Sequence, residues 1–210
     1  MRRFFRAAGL GLIGLSLSFA QEGGGGFTFD FGSGLTNPVG NTGRNLNEGW
    51  NLTSGVGYNF NSWVGAKLDL GYNWFRINST ALNTIGAPDG SLSEFSATLD
   101  PIVHLNPQGH VDFYLTGGGG LFHQHEQFTQ PSVAVVPGFD PFFGYYLAGV
   151  PANQILGAYS VNKPGIDVGA GFAVGTRFHG KVFGEAKYER VFLGAYHTDF
   201  IPVSFGFRWR

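Results

Sequence analysis

The sequence predicts an all-β fold: an eight-stranded antiparallel up-and-down barrel that crosses a membrane, preceded by a cleaved signal peptide. Three observations predict it, namely eight runs of alternating apolar and polar residues, an N-terminal segment built like an export signal, and a scarcity of charge. Charged residues make up 13% of the chain, well below the share usual in soluble domains. With 35 glycines and 16% aromatic residues, the chain is neither a typical soluble domain nor a disordered one.

Residues 1–20 have the parts of a secretory signal. Arg2, Arg3 and Arg6 form a basic start, an apolar stretch covers residues 7–19, and small residues precede a predicted cut before Gln21. The apolar stretch is short for the ~20 residues that a spanning helix needs. The sequence therefore predicts export, with a signal peptide at 1–20 and an outer-membrane β-barrel domain at 21–210.

The strand pattern begins directly after this segment. Successive side chains of a strand point to opposite faces, and ~9–11 residues suffice to cross a membrane. In the first run, Phe27, Phe29 and Phe31 alternate with Thr28 and Asp30. The second and third runs continue the pattern with asparagines, glycines and charged residues between the apolar ones. The first four runs lie at residues 27–31, 50–60, 64–74 and 94–103.

The later runs follow the same rule, with two local departures. Pro101 in the fourth run cannot donate a ladder hydrogen bond. The fifth run loosens into four glycines at 117–120. The last four runs lie at residues 111–121, 168–178, 182–189 and 201–209. An even number of strands is what a closed antiparallel barrel requires.

The connections between runs alternate in length. The short ones carry turn residues and lie at 59–62, 105–109 and 179–180, and the long ones lie at 32–49, 75–90, 123–166 and 193–198. This asymmetry is typical of bacterial outer-membrane barrels, whose long loops face outward from the cell. Both ends of the mature chain are then predicted on the periplasmic side.

The apolar face is predicted to point outward. A soluble eight-stranded barrel or sandwich would also alternate, but its inner face would be apolar and its outer face charged. Here the face with Phe, Leu, Val and Trp carries almost no charge, and a narrow interior could not hold so many rings. The membrane-spanning arrangement is favoured for that reason.

The opposite face carries a predicted charge network inside the barrel. Buried charges must be paired or hydrated, so these side chains form either a salt-bridged plug, which we favour, or a narrow path that would prefer cations because acids outnumber bases. The predicted network consists of Asp30, Lys67, Asp69, Glu94, Asp100, Asp112, Arg177, Glu185, Lys187, Glu189 and Arg208.

Aromatic residues cluster at the strand ends, where Trp and Tyr settle at membrane–water boundaries. Trp63 and Trp209 fall near the short turns, whereas Trp50, Tyr72 and Trp74 fall near the long loops. The sequence thus predicts one interfacial girdle at each end of the barrel.

Several functions are disfavoured by composition. Removing Arg2, Arg3 and Arg6 from the 13 basic residues leaves 10 against 14 acidic ones, a net charge of −4 that argues against nucleic-acid binding. The absence of cysteine rules out thiolate metal sites and disulfides. His123, His125 and Glu126 give a weak metal or catalytic signal, and His104 and His110 are expected to be solvated beside a short turn. We expect no cofactor, metal or catalytic site.

The segment 123–166 is the feature that bears most on function. It is too long for a passive link and is rich in apolar and aromatic residues, among them Phe139, Phe142 and Tyr145. A short helical turn is predicted at Pro151–Ala158. An exposed apolar loop can bind an extracellular ligand or lipid, or fold over the barrel mouth.

The chain resembles the small OmpA-like and OmpX-like outer-membrane barrel proteins from about Gly26 to Arg210. The resemblance is most specific at the end, in Lys163–Gly171, Phe183–Arg190 and Phe200–Trp209. It implies that the barrel-assembly machinery recognises the last strand, which has alternating apolar residues and ends in an aromatic. In this chain Arg210 follows that aromatic. The residues of this strand are Ile201, Val203, Phe205, Phe207 and Trp209.

The resemblance also implies a role and partners. We expect a non-enzymatic integral protein of a Gram-negative cell envelope with a structural or surface-interaction role carried by its long loops. Outer-membrane lipids, lipopolysaccharide, periplasmic chaperones and the barrel-assembly machinery are its expected partners. The alternatives are a narrow cation-preferring channel and an outer-membrane lipid-modifying enzyme, the latter by analogy of fold.

Overall fold

The computed structural model describes residues 25–176 and 180–209, which fold into a closed barrel. Each strand pairs antiparallel with the next, and the last closes on the first from Phe29↔Trp209 to Val39↔Asp199. The predicted fold class is confirmed; the predicted signal peptide and Arg177 lie outside the described residues. The strands are β1 Gly26–Val39, β2 Gly49–Asn59, β3 Val64–Arg76, β4 Asp89–His104, β5 Val111–Asp140, β6 Gly144–Gly175, β7 Gly180–Phe192 and β8 His197–Trp209.

The outer face of the barrel is apolar. Phe27, Phe29 and Phe31 are 50–55% exposed, while the intervening Thr28 and Asp30 are buried. The same alternation continues around the barrel, so large apolar side chains cover the outside and polar ones the inside. Such a surface is costly in water and suited to lipid, which makes the chain a membrane-spanning barrel.

Short helices occupy two of the long connections. A 3-10 helix, Thr42–Arg44, follows β1, which runs on to Val39 instead of ending at Phe31 as predicted. Helix α1, Ser79–Ile85, lies between β3 and β4. The side chain of Asn78 caps it by accepting from the Thr80 amide at 2.8 Å, and Gly86 ends it with a positive φ of 71°. No helix in the described part of the chain is long and apolar enough to cross a membrane.

The segment 123–166 is not a loop, and the helical turn predicted at Pro151–Ala158 is wrong. β5 and β6 pair continuously from Val111↔Val174 to Asp140↔Gly144, with one register shift at Phe128/Thr129. The β-branched and aromatic residues of this segment favour a strand, and three residues with Gly144 at φ 79° suffice to turn the chain.

The outer part of this hairpin leaves the barrel wall. β4 makes its last pair with β5 at Asp89↔Thr129, and β7 makes its last pair with β6 at Gly165↔Val191. Beyond these points the two strands pair only with each other. We call the part from Thr129 to Ile155 the ribbon.

The inside of the barrel is stratified. Two apolar clusters close it, one at the long-loop end and one nearer the short turns, with charged and amide side chains between them. The first cluster contains Leu46, Phe75, Ile77, Leu82, Leu92, Phe122, Val191 and Phe200. The second contains Ile102, Tyr114, Ala173 and Phe183.

Glycines make room for the large rings that point inward. A Cβ on Gly171 would lie 2.5 Å from the Tyr114 ring, and one on Gly165 would lie 2.6 Å from the Phe122 ring. The close approach therefore requires glycine at both positions. Small residues on the inner face of one strand let an aromatic residue of the neighbouring strand fill the lumen.

Candidate functional site

Lys67 is one of two lysines at the centre of the lumen. Its Nζ lies 3.1 Å from Asp69 and 3.6 Å from both Asp30 and Glu185. The lysine is 2% exposed, so the three carboxylates replace its hydration shell.

Lys187 is the second central lysine and binds a partly different set of acids. Its Nζ lies 2.5 Å from Asp69, 2.6 Å from Asp100 and 3.5 Å from Asp167. Because Asp69 touches both lysines, the two clusters form one network that ties β3 and β4 to β6 and β7 across the lumen.

Arg208 closes the network toward the short turns. Its guanidinium donates to Asp30 at 3.1 Å and stacks on Tyr114, with 4.7 Å between its Cζ and the ring centroid. The Tyr114 hydroxyl in turn donates to Glu185 at 2.9 Å. The Phe183 ring lies 5.2 Å from the same guanidinium. The guanidinium and the two rings together occupy most of the lumen in this layer.

A layer of amides and two carboxylates lies on the other side of the lysines. Asn73 donates to Glu94 at 3.3 Å and to Glu189 at 3.4 Å, and Gln124 donates to Glu94 at 2.7 Å. Neither glutamate has an ion-pair partner among the described residues, although both are buried. Among the described residues, only side-chain amides donate hydrogen bonds to the two carboxylates of this layer.

The structure places ten of the eleven residues of the predicted network inside the barrel. Arg177 lies outside the described residues. Sequence reasoning missed Asp167, which is buried and pairs with Lys187 at 3.5 Å. It lies between the segment interpreted as a loop, 123–166, and the sixth run, which begins at Val168; extending the period of two back by one residue would have placed it inside.

Acids outnumber bases in the described lumen. The buried acids that face the lumen are Asp30, Asp69, Glu94, Asp100, Asp112, Asp167, Glu185 and Glu189, against the bases Lys67, Lys187 and Arg208. The lumen is nevertheless nearly filled: the cavity beside Asp69, Glu185 and Lys187 measures about 20 Å³, room for a single water. This filling is the geometry of a plug.

Larger cavities lie at the two mouths. One of about 460 Å³ opens at the long-loop end, and one of about 270 Å³ opens at the short-turn end. His104 lines the second cavity and is buried rather than solvated as expected. Its Nδ1 lies 2.8 Å from Asp112, because β4 carries it on the inward face next to that carboxylate.

The histidines of the weak catalytic signal do not converge with the neighbouring carboxylate. His123 and His125 lie outside the barrel wall, with their Nδ1 atoms 2.6 Å from Asn162 and 2.7 Å from Ser160. Glu126 falls on the inward face and lines the long-loop mouth. No group of three or more His, Asp or Glu in the described residues is arranged to hold a metal ion.

The interfacial aromatics lie on the outer surface in two sets. Trp50 pairs with Trp74 across β2 and β3, and the Trp50 and Tyr72 rings are 5.4 Å apart. Trp63 and Trp209, 54% and 48% exposed, lie toward the short turns. An apolar belt with Trp and Tyr at both edges is typical of the lipid-facing surface of transmembrane barrels.

At the rim beyond the long-loop aromatics, Arg190 and Asp199 form a bidentate pair. Arg190 Nε and Nη2 donate to the two oxygens of Asp199 at 2.8 and 3.1 Å. Burial alone would raise the pKa of Asp199, but the hydrogen bonds and charge of Arg190 outweigh it and hold the pKa below its usual range.

The ribbon differs from every other part of the surface. Asp140 is the one charged residue between Gln127 and Asn162. At the tip, Phe142, Phe143 and Tyr145 are 85–90% exposed. The ribbon thus projects an aromatic surface with a single charged residue, Asp140, away from the belt.

Belt, polar lumen and closed antiparallel sheet together define an integral β-barrel of the bacterial outer membrane. Solved structures agree with this fold. Neisserial surface protein A is similar over 89% of this chain and 98% of its own, with 14% identity and a TM-score of 0.55. The outer-membrane protein OprG from Pseudomonas aeruginosa is similar over 89% and 95%, with 13% identity and a TM-score of 0.50. The sequence matches no protein-family model and no curated protein.

Proposed function

We propose that this protein is a non-enzymatic, non-conducting outer-membrane barrel that displays the β5–β6 ribbon as an interaction surface. The ribbon carries the proposal, because it is a long, aromatic element with a single charged residue that leaves the barrel wall. Exposed apolar patches of this kind mark interaction sites.

The filled lumen supports an anchoring role over the channel alternative. The cavity between the charged layers is about 20 Å³, and Arg208 between Tyr114 and Phe183 lies on one side of it. A hydrated ion needs a continuous water-filled path. Such a path would open only if these side chains moved out of the lumen.

The position of the histidines argues against the lipid-modifying enzyme. His123 and His125 bond to Asn162 and Ser160 on the outer wall, and Glu126 points to the opposite side. A general base and its orienting carboxylate must lie within hydrogen-bond reach of each other.

The assembly role proposed for the last strand rests on its pairing. β8 carries Val203, Phe205, Phe207 and Trp209 on its outer face and joins β1 along eleven residues. We expect the barrel-assembly machinery to bind this strand before it closes on β1. Lipopolysaccharide and phospholipid are the partners expected for the belt.

The proposed function is tested on the surface of a Gram-negative host that produces the full chain. In one variant, residues 131–153 are replaced by Asn-Gly, a two-residue hairpin turn; in a second, Phe142→Ser and Phe143→Ser are combined. Adhesion of the cells to hexadecane droplets is measured as a probe of exposed apolar surface. We expect adhesion to fall strongly in both variants, while heat-modifiable gel mobility shows an intact barrel.

A matched variant, Tyr159→Ser, changes an exposed aromatic of β6 away from the tip and should leave most of the adhesion. Unchanged adhesion in the shortened variant, with the protein detected at the cell surface, would contradict the role of the ribbon. Stepwise conductance of the purified protein in planar bilayers would contradict the plug and favour the channel.

A further inference from the structure

The cavity at the long-loop mouth has the size of a ligand site and a closed bottom. Its volume of about 460 Å³ falls within the ~300–1,000 Å³ usual for small-molecule sites. Leu46 and Leu92 line it and belong to the apolar cluster that also contains Phe75, Phe122 and Phe200. The cavity is therefore a blind pocket open to the outside, separate from the ribbon.

Its wall offers polar groups that the fold does not use. Asn41, Asn45 and Glu126 line it, and none of these three side chains has a hydrogen-bond or ion-pair partner among the described residues. Each amide supplies both a donor and an acceptor, and the carboxylate accepts from hydroxyl groups. Three free groups of mixed polarity around one cavity suit a ligand with many hydroxyls.

An aromatic ring lies among the lining residues. Tyr196 is 78% exposed and follows Gly194, whose φ of 90° forms the tight turn between β7 and β8. An exposed ring beside hydrogen-bonding groups can pack against the apolar C–H face of a sugar ring, while the hydroxyls at the ring edge reach the amides.

The charge of the pocket restricts the ligand further. The lining residues include the acid Glu126, and the imidazole of His197 lies 3.4 Å from Asp199, which also binds Arg190. The wall thus offers no unpaired cation in the described residues to bind sulfate, phosphate or carboxylate. An anionic glycan would meet the like charge of Glu126 in the wall, and the nearby exposed Arg44 is not among the lining residues.

We propose that this pocket binds a neutral saccharide of one or two rings. Glu126 and the two asparagines bind its hydroxyls, and Tyr196 packs against one ring face. The glycan comes either from the lipopolysaccharide of the same membrane or from outside the cell. This site does not depend on the ribbon and would remain if the ribbon proposal failed.

The test uses the full chain refolded into phospholipid nanodiscs free of lipopolysaccharide. Maltose, lactose and N,N′-diacetylchitobiose are the probes, and saturation-transfer NMR with titration gives their dissociation constants. We expect at least one probe to bind, and Glu126→Ala or Tyr196→Ala to weaken binding by about tenfold, as expected for the loss of one ligand contact to a charged group or ring. Glu48→Ala and Tyr145→Ala, exposed residues that do not line the pocket, should change it less than about twofold.

Nanodiscs that contain lipopolysaccharide distinguish the two sources. Weaker probe binding there assigns the pocket to the membrane's own glycan, and equal binding assigns it to a glycan from outside; both support the site. Absence of saturation transfer from all three probes would overturn the proposal. So would binding that Glu126→Ala and Tyr196→Ala leave unchanged, or stronger binding of glucuronic acid than of the neutral sugars.

Discussion

The lumen and the ribbon are built from the same alternating strands but satisfy opposite conditions. In the barrel, each strand has a neighbour on both sides, and the inward charged residues are buried, with Lys67 2% and Asp100 0% exposed. In the ribbon, β5 and β6 have only each other, and Phe142 and Phe143 are almost fully exposed.

The difference shows where the stability of this protein resides. An isolated two-stranded hairpin is marginal in water, so the ribbon adds little to the free energy of unfolding. The charge network, the apolar clusters and the closed ladder must supply it. Side chains of the ribbon can therefore be substituted to suit a binding partner without lowering the stability of the barrel. Substitution of side chains in the lumen lowers that stability.

The largest expected effect comes from removing a central cation. Lys187→Met leaves Asp69, Asp100 and Asp167 without their common partner, which should cost about 3–5 kcal/mol because breaking a buried pair strands its charges. Urea unfolding in lipid vesicles, followed by tryptophan fluorescence, measures it. Lys163→Met, near the base of the ribbon, should stay within about 0.5 kcal/mol of the parent. Equal losses in the two variants would refute the contrast between lumen and ribbon.

The next largest effect should come from a steric change that compares the filled lumen with an open stretch of β6 beside the ribbon. Gly171→Ala places a Cβ 2.5 Å from the Tyr114 ring, so the inner layer must shift at a cost of about 1–3 kcal/mol. Gly157→Ala in β6 meets nothing within 4 Å and should be neutral or slightly stabilising. The same unfolding experiment compares them, and a tolerated Gly171→Ala would show that the lumen is less tightly filled than described.

Two identical substitutions inside the lumen should have opposite signs. Glu189→Gln keeps an acceptor for Asn73 and removes an unpaired buried charge, so it should stabilise by about 1 kcal/mol. Glu185→Gln removes the charge that faces Lys67 at 3.6 Å and Lys187 at 3.8 Å, so it should destabilise. Midpoints of urea unfolding give both signs, and a loss of stability in Glu189→Gln would mean that a cation compensates that carboxylate.

The smallest effect is expected at the rim. The pKa of Asp199 is lowered in the folded state, so its pairing with Arg190 contributes stability above the ordinary value of 3.8, and this contribution is lost as the pH falls through the lower folded value. Unfolding midpoints measured at decreasing pH should therefore show a small loss below about pH 4 that Asp199→Asn lacks. An identical pH profile in the variant would show that the pair does not contribute.

The sequence by itself determined the strand number, the facing of each strand and the location of most buried charges. These follow from a local rule: alternation with a period of two fixes which side chains share a face, and Phe27 to Phe31 or Glu185 to Glu189 show it within five residues. Composition then predicted that the apolar face points outward into lipid, because that face carries almost no charge.

The tertiary structure decided what depends on register and closure. The pairing of particular strands around a closed ring decides which acids surround Lys187. It also places Phe122 against Gly165 and buries His104 beside Asp112. The course of residues 123–166 was likewise undecided locally, because apolar stretches with prolines and glycines suit a loop as well as a strand. Pairing of β5 with β6 settled it, and the mouth pocket exists because closure brings β4, β5 and the β7–β8 turn together around one opening.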